Sequence, residues 1–249
     1  MSKSLDGYVV FITGGSTGLG LSHARVLGGR GAKVAITDFR QDNLDQASAA
    51  LKRDGVDALC VKADNRVVGE VKAAVAKAEA QFSKVDVLVN NAGISGMMAH
   101  IEDIDEGFFD SLFDTHVKGA FFAVQAVVPG MKKRKFGRII NTGSTFNMTG
   151  APAMSHYTGA KGALTALARA CAPFSITVNT VSPGFTDTPV TRSDVTPEIF
   201  DEIIAGMALK RQVLPEEVSY AVAWLASREA DAVTGQNISP NCGQAIVGI

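Results

Sequence analysis

The sequence predicts an α/β fold, a doubly wound parallel sheet of about seven strands with helices on both faces. Three observations point there. Short apolar runs alternate with longer amphipathic ones, the pattern of strands and crossover helices in a parallel sheet. No linker-like or low-complexity stretch divides the 249 residues, so residues 1–249 are expected to form a single domain. Hydrophobic residues make up 46% and charged residues 20% of the chain, enough apolar side chain for a sizeable core.

The first strand is read in "YVVFI", Tyr8 to Ile12, and it runs into "TGGSTGLG", Thr13 to Gly20. Glycines there allow a tight turn and let backbone N–H groups approach a pyrophosphate where the next helix starts. A Gly-rich loop alone is equally a plain turn, but this one follows a strand and opens a helix. "KVAIT", Lys33 to Thr37, is the second strand, and Asp38 at its end can hydrogen-bond ribose hydroxyls and repel a 2′-phosphate. Ser16 brings no positive charge and Arg40 is the one nearby cation, so NAD is expected over NADP. "ALCVK" (Ala58 to Lys62) is a third strand, and Val68, Val71, Val75, Ala78 and Phe82 then recur at helical spacing. "VDVLVN" (Val85 to Asn90), "GRIINT" (Gly137 to Thr142) and "SITVNTV" (Ser175 to Val181) complete the readable strands. The basic run Lys132 to Lys135 follows a helical stretch and reads as a solvated helix end that suits the dipole.

Composition excludes several functions. A net charge of −1 gives no electrostatic attraction to nucleic acid or to anionic membranes. Cys60, Cys171 and Cys242 form no C-x-x-C pair, which argues against a disulfide framework or zinc site and for a reducing compartment. No signal peptide and no apolar run of membrane-spanning length is present, so a cytoplasmic protein is expected. No H-E-x-x-H or carboxylate cluster suggests a metal.

"GSTFNMTGAPAMSHYTGAK", Gly143 to Lys161, carries the reactive groups. Tyr157 and Lys161, four apart, share one face of a helix, and Ser144 precedes them. In order and spacing, Thr13/Gly14/Gly18/Gly20, "NNAG" (Asn90 to Gly93), Ser144 with Tyr157-x-x-x-Lys161, "VNTVSPGFTDTP", and "LPEEV…WLAS…VTGQ" resemble the short-chain dehydrogenase/reductase family over essentially the whole chain. The resemblance implies a single Rossmann fold, with a cofactor half at about 1–135 and a catalytic and substrate half at about 136–249. It also implies that Tyr157 is the general acid/base, that Lys161 lowers its pKa and holds the nicotinamide ribose, and that Ser144 holds the substrate oxygen. Free Tyr titrates near 10, and a neighbouring cation would favour the phenolate.

Cofactor contacts implied in the same way are Gly14, Ser16, Thr17, Gly18, Leu19, Gly20, Asp38, Phe39, Asp64, Asn65, Asn91, Ala92, Gly93, Tyr157, Lys161, Pro183, Gly184, Thr186 and Thr188. Asp64 is equally readable as a helix cap. Substrate contacts are expected at Ser95, Met97, Phe146, Met148, Met154 and Phe185, a Met-rich, uncharged lining suited to an apolar aryl or cyclic ketone. Gly137 to Lys161 is similar in style to 1-phenylethanol-type alcohol dehydrogenases. Two rival readings stand beside this one, a 3-oxoacyl-carrier-protein reductase and a non-catalytic dinucleotide sensor.

The chain departs from the family pattern in three places. His116 stands where an Asn is usual, and a proton relay through it or a passive helix His are both open. Lys161 to Asn179 is 18 residues, about one 3.6-residue turn shorter than usual. "SPNCGQ" replaces the common "VDGG" near the C-terminus, so a different last loop is expected. The helix after Lys161 commonly packs on its copy, and a homo-oligomer, dimer or tetramer, is expected.

Overall fold

The computed structural model describes residues 4–96, 98–166 and 174–246. One sheet of seven strands, all parallel, runs in the order β3-β2-β1-β4-β5-β6-β7. Its strands are β1 (Val9–Ile12), β2 (Lys33–Asp38), β3 (Ala58–Lys62), β4 (Val87–Asn90), β5 (Gly137–Thr142), β6 (Ile176–Val181) and β7 (Asn237–Ile238). The six runs read from sequence are all strands, with ends that move by one or two residues. The seventh is only two residues long and carries no apolar run of its own.

Alternation along each strand sorts the core into two layers, because successive side chains point to opposite faces. Val10, Ile12, Val34, Ile36, Val87 and Val89 belong to one buried cluster. Val9, Phe11, Ala35 and Leu88 belong to the other. The first face is covered by α1 (Gly18–Gly29), α2 (Gln41–Arg53) and α10 (Pro215–Ala226), through Leu27, Leu44, Leu51 and Val222. The second is covered by α3 (Val68–Phe82) and α5 (Gly119–Arg134), through Val71, Val75, Val127 and Met131. Each such fully buried aliphatic side chain contributes about 1.5–3 kcal/mol.

Between β4 and α5 lies α4 (Glu106–Phe113), which continues into a single wide π turn at Asp114–Lys118. α6 (Phe146–Thr149) and α7 (Ser155–Ala166) follow β5; α8 (Pro189–Asp194) and α9 (Pro197–Gly206) follow β6. The basic run does close α5, with Lys132, Lys133 and Arg134 in its last turn and Lys135 in the left-handed region. It is not uniformly solvated, however. Arg134 is half-buried, donates to the Val85 carbonyl at 2.5 Å and lies 3.8 Å from the Asp86 carboxylate.

Asp64 does not cap α3, whose capping position is Val67. The missing turn expected after Lys161 and the thiol of Cys171 fall at 167–173, outside the described residues. Cys60 and Cys242 are free thiols. Among the described residues no helix is long and apolar enough to cross a membrane, and no three His, Cys, Asp or Glu side chains gather as a metal site.

In an open parallel sheet, ligands bind beyond the carboxyl ends of the strands where the chain order reverses. Here that point lies between β1 and β4.

Candidate active site

A cleft of about 710 Å³ opens at this point and continues along the ends of β5 and β6. Its floor is the turn from β1 into α1. Thr13 ties the turn to the strand beside it: its Oγ1 accepts from the Asn91 and Ala92 N–H groups at 3.1 and 3.0 Å. Asn91 returns the bond, donating from Nδ2 to the carbonyls of Thr13 and Gly14 at 3.1 and 2.9 Å. A Cβ on Gly20 would lie 2.1 Å from the Gly14 oxygen, so the helix can approach the turn this closely only with glycine there. Thr17, at the helix start, makes no side-chain cap, so the first N–H groups of α1 have no side-chain partner there, and Thr17, Gly18 and Leu19 line the cleft. This is a cradle that a dinucleotide pyrophosphate fits.

At the outer end, Asp38 closes β2. Its carboxylate accepts the Ser16 hydroxyl and, at 2.9 Å, the Arg40 backbone N–H. Ser16 is therefore beneath the cleft, buried and bonded to Asp38, and not among the residues that line it. Its place in the turn points the hydroxyl at the carboxylate. Gly20 likewise acts by letting backbones meet and does not line the cleft. Thr17, Gly18, Leu19, Phe39, Asp64, Asn65, Ala92 and Gly93 all do.

Asp64 is held by Arg66 through a fork of contacts of 2.7 to 3.1 Å, which lowers its pKa. Asn65 has a task invisible in the sequence. A π turn leaves one helical carbonyl without its usual partner, and Asn65 Nδ2 donates to the Thr115 carbonyl at 2.6 Å.

At the inner end, β5 delivers Ser144 and α7 delivers Tyr157 and Lys161, one turn apart. The Ser144 hydroxyl accepts the Phe146 N–H at 3.2 Å and stands beside the Tyr157 hydroxyl. Lys161 is buried, donates from Nζ to the Thr142 carbonyl at 2.8 Å, and stands 5.5 Å from the Tyr157 ring centre. The charge balance differs from the one the resemblance implies. Burial pushes Tyr157 up to about 12, with the nearby Ser144 hydroxyl opposing, and pushes Lys161 down to about 7. Desolvation penalises the charged form of each. Tyr157 still borders the cleft, so water there moderates the rise.

His116 sits in the π turn, 2% exposed, its ring edge-on to Tyr157 with centres 5.7 Å apart. Its Nε2 lies 3.0 Å from the Ile94 carbonyl and 3.2 Å from the Ile94 N–H, while Nδ1 is buried without a partner. Burial first and the charge on Lys161 second lower its pKa to about 3. A relay that protonates this ring near neutral pH is thus disfavoured; its geometry instead fixes the Ile94 loop.

Of the expected substrate contacts, Ser95, Phe146, Met154 and Phe185 line the cleft. Met148 does not. On the one-turn helix α6 it is two residues from Phe146, about 200° around the axis, so the two cannot share a face. Met97 lies outside the described residues. Pro183, Gly184, Thr186 and Thr188 line the cleft as expected. Thr186 donates to the Gly184 carbonyl at 2.7 Å, and Thr188 caps α8 by accepting from the Thr191 N–H.

Arg40, Asn43, Arg66, Val190, Ile203 and Gln244 also line it. Sequence reasoning placed none of these last five; no spacing or motif marks them. Near Gln244 the divergent last loop is ordered by Asn241, whose Oδ1 accepts from Gly243 N–H at 2.8 Å, with Cys242 and Gly243 both at positive φ.

A family model described as Enoyl-(Acyl carrier protein) reductase matches residues 14–245. Cyclopentanol dehydrogenase from Comamonas sp. (strain NCIMB 9872) is 35% identical over 239 residues, covering 92% of this chain and 94% of that protein. The 2-(S)-hydroxypropyl-CoM dehydrogenase 3 of Xanthobacter autotrophicus is 35% identical over 256 residues, covering 99% and 100%. Among solved structures, NAD+-bound xylitol dehydrogenase superposes with a TM-score of 0.90 at 29% identity, covering 96% of this chain and 99% of that one.

Proposed function

The chain belongs to the short-chain dehydrogenase/reductase family, and from that premise we propose an NAD(H)-dependent oxidoreductase that interconverts a secondary alcohol and a ketone. One observation carries the reading: a single cleft joins Asp38 at one end to Ser144, Tyr157 and Lys161 at the other. Relatives named for cyclopentanol and for 2-(S)-hydroxypropyl-CoM support a secondary-alcohol substrate, and the NAD+-bound relative supports NAD.

In this reading Gly14, Thr17, Gly18 and the start of α1 hold the pyrophosphate, Asp38 the adenosine ribose, and Lys161 and Thr188 the nicotinamide end. The bound nicotinamide supplies hydride acceptance or donation and, when oxidised, a positive charge. Ser144 donates to the substrate oxygen and keeps it beside Tyr157. Tyr157 takes the hydroxyl proton during oxidation and returns one during reduction, a contribution of about 10²–10⁴-fold. Burial alone would hold the phenol protonated, so the phenolate needs cations around it, and Lys161 as ammonium is one. Ile94, Phe146, Met154, Phe185 and Ile203 give an apolar wall that suits an aryl or cyclic ketone. Phe109 and Phe121, both exposed on α4 and α5, support a homo-oligomer.

The 3-oxoacyl-carrier-protein reductase is the second reading, supported by a Staphylococcus epidermidis relative of that name, 33% identical over 239 residues. Asp38 speaks against it by repelling the 2′-phosphate of NADP.

The test follows absorbance at 340 nm with NADH or NADPH against aliphatic, aryl, cyclic and acyl-thioester ketones. Oxidation of NADH by a cyclic or aryl ketone, reduced at least about 100-fold in Tyr157→Phe, is the expected result. Preference for NADPH and a β-ketoacyl thioester would install the second reading, and NADH binding without any turnover would sink both.

A further inference from the structure

We propose that Gln244 is a specificity-determining residue: its carboxamide N–H₂ donates to a second acceptor oxygen on the substrate. The substrate class is then a ketone or secondary alcohol with another carbonyl, hydroxyl or ether oxygen away from the reacting carbon. The inference rests on the proposed oxidoreductase reading and refines it.

Gln244 is fixed at both ends. Its backbone N–H donates to the Asn241 carbonyl at 2.9 Å, and its Oε1 accepts the Phe185 backbone N–H at 2.7 Å. An N–H donor can face only the amide oxygen, so this bond also settles which way the carboxamide is turned. Gly184 packs against the same oxygen closely enough that a Cβ there would lie 2.9 Å from it. Rotation of the amide is therefore restricted, and Nε2 has no hydrogen-bond partner among the described residues.

The neighbouring hydroxyls are differently placed. Thr186 is committed to the Gly184 carbonyl, and Thr188 and Thr191 bond each other at 2.9 Å. The cleft that Gln244 lines also carries the apolar side chains of Phe185, Val190 and Ile203. A wholly apolar substrate pressed against that wall strips water from Nε2 and returns nothing, a loss of about 10- to 100-fold in kcat/KM. A substrate with an oxygen at this position restores the bond. Sites built to hydrogen-bond a substrate discriminate strongly against analogues that lack the group.

The experiment compares cyclohexanone with 1,4-cyclohexanedione and 4-hydroxycyclohexanone, following NADH oxidation by wild type, Gln244→Met and Gln244→Glu. The Glu variant keeps an acceptor for the Phe185 N–H and removes the donors, so it tests the proposal even where Met disturbs the loop. Expected is a wild-type kcat/KM that favours the oxygenated rings, with the ratio to cyclohexanone falling about 10- to 100-fold in both variants. An unchanged ratio overturns the proposal. So does a weaker NADH Kd that lowers all three substrates equally, which would put the amide on the nicotinamide carboxamide. Absence of turnover with any ketone in wild type is a different failure, one of the oxidoreductase reading itself.

Discussion

Replacing Lys161 by Met should flatten the dependence of stability on pH between 7 and about 10. Lys161 is buried with its Nζ on the Thr142 carbonyl, and burial lowers its pKa from 10.5 to about 7. At about 1.4 kcal/mol per pH unit, that displacement corresponds to roughly 5 kcal/mol between the fully charged and fully neutral limits. The sign follows from proton counts. Below about pH 7 both the fold and the unfolded chain hold the proton, so this group makes no slope. Between about 7 and 10.5 the unfolded chain holds a proton that the fold releases, and stability rises with pH. Tyr157, pushed up to about 12, acts in the opposite direction only above 10. Urea denaturation of the protein without added nucleotide, at intervals from pH 6 to 9.5, measures this. From pH 7.5 to 9.5 wild type should gain about 2–3 kcal/mol relative to Lys161→Met. The lost bond to Thr142 shifts the variant by a constant and leaves the slope alone. Parallel curves across the window would refute the argument that burial governs this ammonium.

Two further outcomes follow from the same site. Gly20→Ala places a Cβ 2.1 Å from the Gly14 oxygen and 2.7 Å from Asn91 Nδ2; it should cost about 1–3 kcal/mol in thermal unfolding and weaken NADH binding, read by fluorescence, by about tenfold or more. His116, lowered to about 3, should put no step near 6.5 in the pH profile of kcat/KM, and His116→Asn should leave any acid limb of that profile where it is. Its effect belongs to acid unfolding. Below pH 6.5 the unfolded chain takes up a proton that the buried ring refuses, so wild-type stability falls as pH drops toward 3, and falls less steeply in the Asn variant. An acid limb that moves on substitution would restore His116 as a titrating relay.

The strands were legible because buried strands are rich in β-branched and apolar residues: "YVVFI" and "VDVLVN" carry continuous apolar runs, and "SITVNTV" sets Ile176 and Val178 at alternate positions among β-branched threonines. β7 was not, because a two-residue strand needs no run, only a neighbour to pair with: Thr180 and Val181 of β6. Tyr157, Lys161 and Ser144 could be picked out because helical spacing and a nearby turn are local properties. Met148 was misplaced by counting residues along the chain, since α6 turns it away from Phe146. Asn65, read as a cofactor contact, does line the cleft, but no local pattern signals that its side chain also satisfies a carbonyl 50 residues away. His116 was readable as an oddity but not as a neutral one, because its ionisation depends on burial by segments distant in sequence.

Residue order alone determined the alternation of strand and helix, the glycine cradle after β1, the carboxylate at the end of β2, and the shared face of Tyr157 and Lys161. Those features rest on backbone sterics and on periods of two and 3.6 residues, which act over a few neighbours. Tertiary structure alone decided the direction in which Tyr157 and Lys161 are displaced, the bond between Ser16 and Asp38, and the orientation of the Gln244 amide. Each depends on what the fold removes from water or brings within 3 Å from far along the chain, and no local pattern encodes that.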